Sequence, residues 1–143
     1  TEHGLESEFV ESYYSTSVKG VIRGMHFQLP PHEHAKLVYA VEGSVTDVQL
    51  DLRKNSDTYK KVIALELSKA NRNAVYIPKG VAHGFEATSD LATLVYMTTT
   101  VYNKESDTGI LWNSFGHQWN NTDPNMSERD RSFVVLEDFN SPF

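Results

Sequence analysis

The stretch "VTDVQLDLR", Val45–Arg53, decides the fold class. Val48, Leu50 and Leu52 alternate with Asp47, Gln49 and Asp51. Successive side chains of an extended chain point to opposite faces, so this period of two predicts a half-buried β-strand. Outward along the chain the same signal recurs. "KKVIALEL" (60–67), "NAVYIP" (73–78), "LATLVYMTTTVY" (91–102) and "SFVVLE" (132–137) are rich in the β-branched and aromatic residues that suit a pleated surface. Turn signals separate them: "EGS", "RKNSDTY", "SKANRN", "PKGVAHG", "ATSD" and "NKESD". Short strands punctuated in this way predict a sandwich or barrel rather than alternating β and α units. A helical period is hard to find. One turn is expected at "NMSERD", with Asn125 or Ser127 as its cap, inside an otherwise polar, loop-like region. With no repeat, linker or low-complexity tract, residues 1–143 are read as one all-β domain.

The totals narrow the function classes. A net charge of −6 with the cations scattered singly argues against a general nucleic-acid binder, which needs a basic patch to displace counterions. The chain has no cysteine, which excludes disulfides, thiolate metal sites and a cysteine nucleophile. No apolar run approaches the ~20 residues of a membrane span, and "TEHGLESEF" does not read as a signal peptide, so the expected location is the cytoplasm without a membrane partner.

The chemistry concentrates in "RGMHFQLPPHEHAKLVYAVEG", Arg23–Gly43, which holds His26, His32 and His34, three of the chain's six histidines. The H-x-H pair suggests a metal site. Further on, "PKGVAH" reads P-x-G-x-x-H from Pro78 to His83 and is similar to the second cupin motif, where Pro and Gly set a turn and His points into a barrel. Taken alone, it reads better as a surface turn followed by an incidental histidine. A metal-binding cupin's first motif would place a glutamate with six residues between it and Gly43, and Lys36 stands there instead. A cation is poor company for a divalent metal, which prefers anionic or neutral donors. That weakens the metal reading, although His26, His32, His34 and His83 could still meet in space.

Several blocks together resemble the dTDP-4-dehydrorhamnose 3,5-epimerase family, metal-independent cupins acting on nucleotide-linked 4-keto-6-deoxy sugars. They are "KGVIRGMHFQ" (19–28), "AKLVYAVEGSVTDVQLDLRKNSDTY" (35–59), "IPKGVAHGF" (77–85), "YMTTTVY" (96–102), "ILWN" (110–113) and "SERD" (127–130), in the family's order and near its spacing. The resemblance implies a cupin-type jelly roll, no cofactor or metal, a nucleotide-sugar substrate and a homodimer.

Epimerisation beside a ketone needs a base, a group to stabilise the enolate oxygen, an acid on the opposite face and an anchor. By resemblance, His26 matches the base and Asp130 the carboxylate that orients it. Lys36 matches the lysine facing the keto oxygen, His83 a second histidine at the sugar or enolate, and Tyr96 the acid. Arg23 matches the diphosphate anchor, with Ser15, Ser17 and Gln28 as further substrate contacts. Each has a plainer alternative: His26 and Tyr96 as core side chains, Asp130 as a solvated loop carboxylate. Lys36 is the exception, since the run "LVYAV" after it puts it at the head of a buried strand. Arg23 and His26 have opposite parity and would point to opposite faces of a regular strand, unless Gly24 permits a bulge.

The departures cluster on nucleotide recognition. The family's N-terminal arm is nearly absent from this sequence. Glu11 and Tyr13 stand where a glutamine and an asparagine are usual, and Tyr39 where an arginine is common, which is expected to remove a cation from the site. His32 and His34 read as an elaboration of the loop at the site entrance. The proton-transfer residues match better than the nucleotide anchor, so an epimerase is the leading reading. A metal-dependent cupin using the histidines and a non-catalytic sugar-binding relative are the alternatives.

Overall fold

A computed structural model describes residues 2–143. Among these the chain forms β1 (Glu11–Val18), β2 (Ile22–Gln28), β3 (Lys36–Glu42), β4 (Ser44–Asp51), β5 (Val62–Ser68), β6 (Ala74–Ile77), β7 (Val81–Ala87), β8 (Leu91–Thr98), β9 (Asp107–Gly109), a single-turn helix α1 (Glu128–Arg131) and a 3-10 turn at Leu136–Asp138. The strands make two antiparallel sheets, ordered β1-β8-β3-β6 and β5-β4-β7-β2-β9. This is the sandwich that the patterning predicts, in the cupin-type jelly-roll form that the resemblance implies. Gly43 alone turns the chain from one sheet into the other. Its φ is +65°, and a Cβ there would collide with the Leu91 carbonyl and the Ser89 hydroxyl.

Two apolar clusters hold the molecule together. One lies between the sheets at one end: Val38, Ala40, Val45, Leu67, Val75, Ile77, Phe85 and Leu94. The other lies on the outer face of the five-stranded sheet, where Ile22, Met25, Phe27, Val48, Leu50 and Leu52 meet Ile110, Trp119 and Leu136. The C-terminal third, polar overall, covers that face with its few aromatics, and Trp119 donates its Nε1–H to the Trp112 carbonyl at 2.8 Å.

Strand β4 shows what a period of two cannot say. It was expected to be half-buried, with its polar side in water. Instead both sides are enclosed: Asp47, Gln49 and Asp51 are all under one-tenth exposed. The apolar side packs under the C-terminal segment, and the polar side faces the second sheet. Asp47 and Gln49 therefore face the interior of the barrel, while Asp51 is covered by Arg53 and Thr58.

The helix expectation holds, with Ser127 as the cap: its hydroxyl accepts from the Asp130 amide at 3.1 Å. "SFVVLE" does not form the expected strand. Val134 makes an isolated bridge to Ile110, and the chain then tightens into the 3-10 turn. Leu136 and Phe139, three residues apart, both enter the outer cluster, a helical rather than an extended spacing.

Candidate active site

The parity conflict in β2 resolves as a bulge. Opposite β7, Arg23 pairs with Phe85 and His26 with His83, so three steps on one strand match two on the other. Gly24 makes this possible at φ +119°, where a Cβ would lie 2.6 Å from the Gly84 Cα and 2.7 Å from the His83 carbonyl. Ile22, Met25 and Phe27 consequently share the outer face, while Arg23, His26 and Gln28 line an interior cavity of about 360 Å³.

The bulge leaves the Gly24 N–H without a ladder partner, and Asp130 takes it up. Gly24 N–H donates to Asp130 Oδ2 at 3.1 Å, and His26 Nε2 lies 2.7 Å from Asp130 Oδ1. Asp130 is buried. Burial works to raise its pKa, but the hydrogen bonds from His26 and Gly24 outweigh it and hold the carboxyl below its ordinary value. An ionised Asp130 favours the tautomer with hydrogen on His26 Nε2, which leaves Nδ1 as the imidazole's free lone pair. The edge of Phe133 packs against the ring, centroids 5.8 Å apart.

Directly across the ladder from His26 stands His83, buried and hydrogen-bonded through Nε2 to Asp47 Oδ2 at 2.5 Å. Gln49 Nε2 donates to the other carboxylate oxygen at 3.2 Å. The opposing sheet contributes Lys36 and Tyr96, which face the same cavity from neighbouring strands. Lys36 is buried at the head of β3. Burial lowers its pKa to about 8, partly offset by the charges of Asp107 and Asp47, so the ammonium form is retained at neutral pH. Tyr96 is 6% exposed, and burial pushes its phenol well above the ordinary range; its hydroxyl is hydrogen-bonded to Ser15 Oγ at 3.0 Å.

A carboxylate-oriented imidazole on one wall and a buried phenol and ammonium on the other is an arrangement that can move protons. The family model of dTDP-4-dehydrorhamnose 3,5-epimerase matches residues 1–138. The dTDP-4-dehydrorhamnose 3,5-epimerase of Shigella flexneri is 43% identical over 129 residues, which are 89% of this chain and 71% of the relative. The crystal structure of the Elizabethkingia anophelis enzyme of that name superposes with a TM-score of 0.92 at 40% identity, covering 96% of this chain and 78% of the other. A Legionella pneumophila 3,5-epimerase, solved in complex with dTDP-4-keto-L-rhamnose, gives a TM-score of 0.90 at 33% identity over 96% of this chain and 74% of that one.

The chain belongs to the dTDP-4-dehydrorhamnose 3,5-epimerase family. It is accordingly an isomerase, a carbohydrate epimerase with a cupin-type barrel.

The remaining candidate residues divide by position. In this epimerase Arg23 lies at the cavity mouth; its Nε donates to Ser17 Oγ at 2.9 Å and one Nη to the Thr16 carbonyl at 3.4 Å. Ser17 is buried and off the cavity wall, so its hydroxyl orients Arg23 rather than facing a ligand. Ser15 does line the cavity. Gln28 reaches it too, but its amide is committed: Nε2 donates to the His32 and Val101 carbonyls at 2.7 and 3.3 Å, and Oε1 accepts from the Asn103 amide at 2.8 Å.

The two loop histidines part company. His32 turns to Ser106 Oγ at 2.9 Å. His34, expected to be loop elaboration, sits on the cavity wall beside Lys36. Burial, and then the neighbouring ammonium, lower its pKa to about 3, so it stays neutral. Among the described residues no three His, Asp or Glu side chains converge as a ligand set for a metal ion. Tyr39 does not remove a cation from the site. Lys36, Val38 and Ala40 face inward, and Tyr39 lies on the opposite face of β3.

Three site residues escaped the sequence reading. Asp47, which pairs with His83, looked like the solvent side of β4. Asp107 and Arg129 line the cavity as an ion pair, Arg129 Nη2 to Asp107 Oδ2 at 2.8 Å. Asp107 carried only a turn signal. Arg129 lay in the quoted "SERD", next to Asp130, and that adjacency was the signal for it.

Proposed function

We propose that this epimerase inverts a stereocentre beside the C4 ketone of a dTDP-linked 4-keto-6-deoxy sugar by passing protons between His26 and Tyr96. His26 Nδ1 takes the proton from the carbon next to the carbonyl, the C–H bonding pair moves toward the ketone, and an enolate forms. The Lys36 ammonium stabilises the enolate oxygen, with His83 as a second hydrogen-bonding group whose orientation Asp47 sets. Tyr96 then gives its hydroxyl proton to the same carbon from the other face. Proton exchange with water restores a neutral imidazole and a neutral phenol. Asp130 stabilises the imidazolium, and Arg23 grips the diphosphate.

One observation carries this reading: His26 and Tyr96 project into a single cavity from opposite sheets, each with its own hydrogen-bond partner. Base and acid on opposite sides of a planar enolate are what inversion requires. A phenol held protonated by burial suits the donor. No cofactor enters the scheme.

Proton NMR in deuterated buffer tests it. The wild-type enzyme exchanges the proton beside the ketone for deuterium, and His26→Ala slows exchange by ~10²-fold or more, the usual contribution of a general base. Absence of exchange by wild-type protein would sink the reading and leave a binding relative in its place.

The reading extends to assembly and location. β1 is the edge of its sheet, and its outward face carries Tyr14, 73% exposed, and Val18, 57% exposed, beside the exposed Leu91 of β8. An unpaired edge with apolar side chains suits a second copy, so we propose a homodimer joined through this sheet. Residues 1–143 are taken as one catalytic domain. Among the described residues no helix is long and apolar enough to cross a membrane. The cytoplasm, where nucleotide sugars are assembled, is the proposed location.

A further inference from the structure

Tyr13 and Tyr96 stand directly opposite each other in the β1–β8 ladder, with both rings on the cavity side. The rings are stacked, centroids 4.6 Å apart and planes 9° apart. His83 closes on Tyr96 from another side, edge to face at 6.1 Å. Two positions along the same edge strand, Ser15 holds the Tyr96 hydroxyl. Strand β1 thus supplies two grips on one phenol, Tyr13 on the ring and Ser15 on the oxygen.

The Tyr13 side chain has no comparable commitment of its own. It lines the cavity and is 43% exposed. Among the described residues its hydroxyl makes no hydrogen bond. Its environment keeps that hydroxyl protonated: burial, then the carboxylates of Asp107 and Glu11, push the pKa up to about 12. Glu11 in turn accepts the Tyr102 amide at 3.1 Å, tying the start of β1 to the loop after β8. The edge strand is fastened where Tyr13 leaves it.

We infer that Tyr13 is a positioning residue, its ring clamping Tyr96 over the cavity so that the second proton arrives on the face opposite His26. This rests on the reading of Tyr96 as the acid. Stacking of this kind adds to what the buried area contributes and favours one rotamer of Tyr96 over its alternatives. If the clamp is removed, Tyr96 swings and the enolate waits longer. His26, still protonated on the first face, can then return a proton to the side it came from. Its acidic protons exchange with solvent, so the carbon gains deuterium without inverting.

The test follows both events together. In deuterated buffer, with a dTDP-linked 4-keto-6-deoxy sugar, NMR reads deuterium gained with retention against deuterium gained with inversion. Tyr13→Phe, which keeps the ring, should match wild type. Tyr13→Leu and Tyr13→Ala should raise the retention-to-inversion ratio by about tenfold, a fraction of the ~10²–10⁴-fold contribution of a positioned general acid. KM should move less than kcat. A loss of kcat at unchanged ratio in both ring-lacking variants, or a ratio as high in Tyr13→Phe as in Tyr13→Leu, overturns the clamp. Should Tyr13→Ala fail to fold, Tyr13→Leu preserves bulk at this half-exposed site and decides alone. Wild-type protein that exchanges nothing overturns the epimerase reading itself, a result distinct from exchange with an unmoved ratio.

Discussion

Lys36 shows how much one side chain's surroundings decide. Its ammonium is buried at the head of a strand, and burial, only partly offset by the charges of Asp107 and Asp47, brings its pKa to about 8. The protonated form is the one that stabilises an enolate, so kcat/KM is expected to fall as pH rises through about 8 in the free enzyme. An ordinary lysine would hold its charge to about 10.4. Steady-state rates from pH 6 to 10 check this, and Lys36→Met should remove that limb together with ~10²-fold or more of kcat. A profile flat to pH 10 would assign the oxyanion role elsewhere. At this scale the sequence was informative where a residue broke its local pattern: a lysine opening "LVYAV" is out of place unless it is used. Asp47 was hidden because it fitted its pattern. A carboxylate on the polar side of an alternating strand looks solvated, and only the second sheet, laid over that side, reveals it as the partner of His83.

Strands were legible as elements wherever alternation was sustained, and β4, β5, β6 and β8 emerge near their expected places. "SFVVLE" misled because β-propensity reports fitness for a pleated surface, and here the segment makes only the isolated bridge of Val134 to Ile110 before tightening into the 3-10 turn. The bulge in β2 was legible only as a conflict of parity. Its resolution predicts a sharp intolerance: Gly24→Ala places a Cβ 2.6 Å from the Gly84 backbone at φ +119°. A cost of ~3 kcal/mol or more is expected, the sum of a sparsely populated backbone region and a steric overlap. Urea unfolding midpoints measure it. The survivors should lose activity beyond their loss of folded protein, because relaxing the bulge returns Arg23 and His26 to opposite faces. A variant with wild-type stability and turnover would show that the bulge is dispensable.

Across the whole molecule, a sandwich or barrel was legible from strand count and turn spacing, and its jelly-roll form from the family resemblance, while the role of the C-terminal third was not. Its polar composition disguised the aromatics that cover β4 and β2. Its few apolar residues sit at irregular spacing, and their destination is a tertiary fact. Association belongs to this scale as well. A homodimer through the β1 edge predicts that light scattering gives about twice the monomer mass of 16.2 kDa, and that a Val18→Lys, Tyr14→Lys variant gives the monomer mass. A monomeric wild-type protein would leave the exposed edge without that explanation.

Asp130 joins β2 to α1 by gripping the Gly24 amide with one oxygen and His26 with the other. The same carboxylate therefore ties the wrapping segment to the barrel and completes the proposed catalytic pair. A chain refolding from denaturant, or emerging from a ribosome, can lay down its sheets while His26 still lacks its partner. It becomes competent only when Asp130, 104 residues further along the chain, arrives. Ultraviolet ellipticity should thus recover ahead of turnover, and the enzyme would stay chemically silent until its wrapping is nearly done.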